Sequence, residues 1–228
     1  MNQSRLFITS LLLALAMVSG AQALPAYDSG GDFSSSNNPN GAWSYGYQTT
    51  LGGTLNLYTD LANVGGLLIW RFNINNTSTP GVAFNPSGTD ITFASTTWRP
   101  AETSLHPGPN GEFSVLRFNA PETNDYTLTS LFNMRSFGGT SSTDVHILLN
   151  GVSLFSSFVT GFNAETAFND LLTLAQGDQL DFVVGDNGSF FGDTTEVQAS
   201  LAAVPLPAAV WFFGSALAGL GLFRRRMT

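Results

Sequence analysis

Thr143-Asp-Val-His-Ile-Leu-Leu-Asn-Gly-Val-Ser-Leu-Phe-Ser-Ser-Phe-Val-Thr160 reads as two strands joined by a two-residue turn. Asn150-Gly151 is the turn, because both residues tolerate the positive φ that a type I′ hairpin requires. In the first strand Val145, Ile147 and Leu149 point one way and Asp144, His146 and Leu148 the other, since side chains alternate along an extended backbone. Working outward, short apolar or alternating runs recur at 43–49, 54–59, 67–74, 91–94, 113–118, 126–132, 171–174, 179–184 and 196–201. Asn-Pro-Asn-Gly, Thr-Pro-Gly, Pro-Ser-Gly, Pro-Asn-Gly and Gly-Asp clusters separate them. Many short strands with this punctuation predict an all-β fold, an antiparallel β-sandwich or jelly roll over residues 24–200. Ala164–Asp170 reads as one helical turn or a loop. No repeat of solenoid length is present.

Composition excludes several functions. Only 11% of residues are charged, and cysteine is absent, which removes disulfides, thiolate metal sites and a thiol nucleophile. All basic residues are arginine, and eight arginines face sixteen acids for a net charge of −8. Nucleic acid is thereby excluded as a partner, because phosphate binding needs a basic patch. The charge is partitioned. Residues 24–200 hold four arginines and all sixteen acids, whereas both ends are apolar and flanked only by arginine.

Residues 1–23 read as a signal-peptide helix: Arg5, an apolar run from Leu6 to Val18, and a small-x-small site at Ala21 and Ala23. The partners this implies are the Sec machinery and signal peptidase. Residues 201–228 contain Val204-Pro-Leu-Pro207, an uncharged stretch with Trp211 and Gly214, and Arg224-Arg225-Arg226. Pro207 suits the first turn of a helix. A helix from there to Phe223 would be roughly 25 Å long, a short transmembrane span. Terminal arginines set its end on the cytoplasmic side by the positive-inside rule.

The order Val204-Pro205-Leu206-Pro207, apolar helix, arginine triplet resembles the PEP-CTERM sorting signal, with Leu206 where the name-giving pattern has Glu. The resemblance implies an exported protein of a Gram-negative bacterium, held in the inner membrane and passed to the cell surface or extracellular matrix by an exosortase. The centre is similar to a β-sandwich ectodomain of secreted bacterial proteins, on Asn38–Tyr47, Leu105–Gly108, Ser114–Pro121, Thr143–Gly151 and Gly177–Gly185. Its look is that of galactose-binding-like jelly rolls, which implies polysaccharide as a partner.

Candidate ligand-binding residues are Trp43, Tyr45 and Trp98, whose rings would stack on sugars if exposed and would fill the core if not. His106, and His146 with Asp144 and Arg117, form a second polar set that could bind hydroxyls or orient an acid–base group. No cofactor is implied beyond a structural calcium at Asp186, Asn187 and Asp193, residues that turns also require. Nucleophile-elbow, phosphate-loop and zinc-protease motifs are absent. The expectation is a non-enzymatic structural or binding role, with a carbohydrate-binding module as the alternative and a glycosidase-type carboxylate pair as the remote one.

Overall fold

A computed structural model describes residues 24–73, 80–137 and 141–205. The strands are, in chain order, β1 (Ala26–Asp28), β2 (Trp43–Gln48), β3 (Asn56–Leu57), β4 (Asp60–Val64), β5 (Leu67–Arg71), β6 (Gly81–Phe84), β7 (Ile91–Phe93) and β8 (Thr96–Trp98). They continue with β9 (Thr103–His106), β10 (Phe113–Asn119), β11 (Asn124–Met134), β12 (Ser142–Leu149), β13 (Val152–Thr160), β14 (Glu165–Leu174), β15 (Gln179–Val184) and β16 (Thr195–Ala203). Two antiparallel sheets face each other. One runs β14-β11-β16-β9-β6-β5-β4, with β1 added on β16; the other runs β13-β12-β15-β10-β2-β3. The described residues contain no helix.

The hairpin of 143–160 forms as read. Asn150 and Gly151 have φ of 52° and 81°, and β12 pairs with β13 through a bulge between Ile147 and Leu148. Alternation then sorts the six-stranded sheet. Trp43, Tyr45, Leu116, Phe118, Val145, Ile147, Leu180, Phe182 and Val184 enter the core, where they meet Tyr126, Leu128, Phe132, Val197 and Leu201 of the eight-stranded sheet. The intervening residues form the sheet's outer face.

Two expectations are corrected. Residues 164–170 are neither a helical turn nor a loop: β14 spans Glu165–Leu174 and pairs with β11 over ten residues. Its Ala, Glu and Leu content suits a helix, but strand preference follows the surface a residue packs on, and Phe168, Leu172 and Leu174 have an apolar core to meet. The last strand also runs past the expected boundary at 200, to Ala203, and the Val204 N–H donates to Asp125 O at 2.8 Å. Strands β1, β4, β6, β8 and β9, each five residues or fewer, are too short for alternation to mark them in the sequence. No helix among the described residues is long and apolar enough to cross a membrane. The signal-peptide helix with Ala21 and Ala23, and Pro207, Trp211, Gly214, Arg224, Arg225 and Arg226 of the tail helix, lie outside the described residues.

Candidate functional site

The aromatic candidates are core residues. Trp43 and Tyr45 are 1% and 0% exposed and Trp98 is 6% exposed, so no ring face is open to a sugar. Each polar edge is satisfied, as buried indoles and phenols require. Trp43 Nε1 donates to Asp32 Oδ2 at 3.1 Å, Trp98 Nε1 to Ser104 Oγ at 2.8 Å, and the Ser34 N–H donates to Tyr45 Oη at 3.2 Å. Burial pushes the Tyr45 hydroxyl up to about 12.

His106 is half-buried at the end of β9, beside the Phe190 ring, with Nδ1 2.7 Å from Pro107 O. Burial lowers its pKa, against the pull of that carbonyl. It is not brought to the other polar candidates.

Arg117, Asp144 and His146 do share a surface, the outer face of the six-stranded sheet, because each sits at an outward position of β10 or β12. Arg117 lies opposite Asp181 of β15 and holds it through Nε–Oδ1 at 2.6 Å and Nη2–Oδ2 at 2.8 Å. Gln48 of β2 adds a hydrogen bond to Asp181 Oδ2 at 2.9 Å, and its own Oε1 accepts from the Gly52 N–H. A bidentate, charge-assisted pair of this kind fixes the guanidinium plane.

The Gly52 turn crosses this face and touches the β12–β13 turn: a Cβ on Gly52 would lie 2.7 Å from Gly151 O. Leu55 packs beneath it on Val115, Leu148 and Val183. Between the turn and the sheet opens a cavity of about 520 Å³, lined by Gly52, Gly53, Thr54, Leu55, Arg117, Asn150, Gly151 and Gln179. Asp181 engages two of the five guanidinium N–H donors of Arg117, and the others remain for a ligand. The lining therefore offers one oriented cation, the Gln179 side-chain amide and glycine backbone groups, while the Asn150 amide donates to Asp178 Oδ1 and accepts from the Gln179 N–H.

His146 and Asp144 lie farther along the same face. His146 Nε2 is 2.8 Å from Asp144 Oδ2, and Nδ1 is 2.9 Å from Ser156 Oγ on β13. Burial works to raise the Asp144 pKa, but hydrogen bonds from His146 and the Asn187 N–H outweigh it and hold the carboxyl below its usual range. Phe113 lies edge-on to His146 with ring centroids 6.3 Å apart, and it packs against the Val115, Leu148 and Val183 cluster of the same face.

The calcium candidates serve the backbone instead. Asp186 Oδ1 accepts from the Gly188 N–H, the Asn187 N–H donates to Asp144, and Asp193 Oδ1 accepts from the Ser142 N–H. Among the described residues no group of three or more His, Asp or Glu side chains is placed to hold a metal.

Sequence reading missed Gln48, Asn150, Gln179 and the Gly52–Leu55 turn. A usable signal was present for Asp181: a lone acid in Gln-Leu-Asp-Phe-Val and a lone Arg in Val-Leu-Arg-Phe both interrupt apolar strands. Only the pairing of β10 with β15 shows that they answer each other.

No protein-family model matches the chain, and no curated protein matches it. Among solved structures, it is similar to a family 22 xylan-binding domain from Paenibacillus barcinonensis, with TM-score 0.39 and 7% identity over 82% of this chain and 100% of that one. A family 51 carbohydrate-binding module from Clostridium perfringens, solved with methyl-galactose, gives 0.35 and 21% over 44% and 68%. A family 35 module from Clostridium thermocellum gives 0.31 and 13% over 60% and 98%. Sandwiches of this kind host many unrelated functions.

Proposed function

We propose that the chain is an exported, non-catalytic protein whose sandwich binds a polyhydroxylated ligand of the polysaccharide class in the Arg117 cleft. One observation carries this reading: the cleft is open, of ligand size, and lined by hydrogen-bonding groups around a guanidinium held in place by Asp181 rather than by an acid–base pair. Ligand sites commonly span ~300–1,000 Å³ with a few oriented polar groups, and the 520 Å³ cleft falls in that range. The Gln179 amide and the guanidinium donors match the vicinal hydroxyls of a sugar. Route and location rest on the two ends of the sequence: a signal peptide, then a sorting tail of the PEP-CTERM kind handled by an exosortase.

The binding test is titration calorimetry against a panel of bacterial and plant polysaccharides. Gln179→Ala and Arg117→Lys should each weaken binding about tenfold, or ~1.4 kcal/mol, with the circular dichroism spectrum unchanged. Absence of binding to every polysaccharide, or full affinity in both variants, overturns the reading. For the route, replacing Arg224–Arg226 should leave unprocessed protein in the inner membrane; unaltered processing would refute it.

A further inference from the structure

The sheet edges of the sandwich are not equally defended. Unpaired edge strands expose a row of backbone donors and acceptors and invite another strand, so folded proteins shorten them or charge them. Strand β3 has two residues, β4 contains Asp60, and β14 contains Glu165 and Asp170. Strand β13, at the end of the six-stranded sheet, is nine residues long and contains no charged residue, no proline and no glycine. Its only interruption is the bulge near Leu154, which leaves Phe155–Thr160 regular. Val152 and Phe158 are 69% and 66% exposed on it.

We infer that β13 is a self-association edge, where a second copy of this chain pairs antiparallel and joins two six-stranded sheets into one. Charge selects this edge as the place where a second copy can approach. Two chains of net −8 repel over most of their surface, and Phe155-Ser-Ser-Phe-Val-Thr160 is a long neutral stretch on an edge. Antiparallel pairing about a two-fold axis is self-complementary. Registers centred on Ser156, Ser157 or Phe158 all oppose neutral residues. The axis also sets orientation. Pro25 and Val204 leave the sandwich together, since the Ala203 N–H donates to Pro25 O. Pairing antiparallel therefore places the exits of the two chains at opposite ends of the dimer, so it joins chains released from a membrane or standing on facing surfaces.

The test is sedimentation of the full chain in detergent, comparing wild type with Phe158→Lys on β13 and Leu171→Lys on β14, both at exposed positions. Wild type and Leu171→Lys should dimerise with the same midpoint, and Phe158→Lys should raise that midpoint at least tenfold. Identical behaviour of all three, or a monomeric wild type at about 100 µM, overturns the inference. Because the chain lacks cysteine, single cysteines at 156, 157 and 158 provide a second readout. One of them should give an oxidised dimer, since facing Cα atoms in such a pair are within disulfide reach. Failure of all three also overturns it.

Discussion

The two sheets each carry an arginine paired with acids, and the two clusters are built differently. Arg117 has one acid, Asp181, gripped at two points with Gln48 in support, and it borders the cleft. Arg135, just after β11, has two acids and no solvent. Its Nε lies 3.1 Å from Glu102 Oε2 and 3.8 Å from Glu196 Oε2, and all three side chains are 5% exposed or less. The β7–β8 hairpin closes over this site: the Thr97 N–H donates to Arg135 O, and Trp98 covers Ser104. Glu102 Oε1 and Glu196 Oε2 are left without hydrogen-bond partners. Burial, aided by Glu196, pushes the Glu102 carboxyl up to about 7 despite Arg135 and the Arg99 N–H. The first cluster is balanced and placed to meet a ligand. The second is one positive charge short, so it stores a sensitivity to protons.

The comparison breaks most visibly at Arg135. Arg135→Met leaves two buried acids without their cation and should cost about 3–5 kcal/mol, as loss of one member of a buried ion pair does; urea denaturation measures it. Arg135→Met with Glu102→Gln should regain part of that loss, and no recovery would mean that charge balance is not the cause.

Next is pH. Glu102 moves from 4.5 to about 7 on folding, and Asp193, desolvated and near Asp186 and Asp144, from 3.8 to about 7. Between about pH 4 and 7 the folded chain keeps protons that the unfolded chain has released. Stability from these two groups is therefore full at low pH and falls as pH rises to about 7, by at most about 3 kcal/mol for Glu102 and about 4 kcal/mol for Asp193. Denaturation midpoints at pH 5 and 7.5 read this out. Glu102→Gln should flatten the slope.

A smaller effect belongs to the balanced cluster. Asp181→Asn removes a charge-assisted pair at the edge of solvent and should cost about 2 kcal/mol, with loss of ligand affinity. A loss as large as that of Arg135→Met would erase the distinction between the sites. Smallest is Gln179→Ala, which should change stability by no more than about 0.5 kcal/mol while still weakening ligand.

Much of the fold was legible. The hairpin at Asn150-Gly151 and the strands at 113–118 and 179–184 stood out because alternation and positive-φ turn residues are local properties. The first part of strand β14 was misread, residues 171–174 having been read as strand, because its helix-forming composition is overruled by β11, a partner more than thirty residues away in sequence. The site was less legible. His146, Asp144 and Arg117 could be named as polar residues among apolar ones, but Trp43 and Trp98 sit beside turns and still prove buried, since Trp43 points into the core between the sheets and Trp98 packs on Phe93 and bonds Ser104.

The sequence by itself determined the β periodicity, the acidic and cysteine-free centre, the apolar ends and the hairpin, all of which depend on residues within a few positions of one another. Tertiary structure alone decided which strands are neighbours. That neighbourhood sets Arg117 against Asp181, encloses Arg135 with two glutamates, and leaves β13 at an open edge. The physical reason is that hydrogen-bond pairing and desolvation act between residues tens of positions apart.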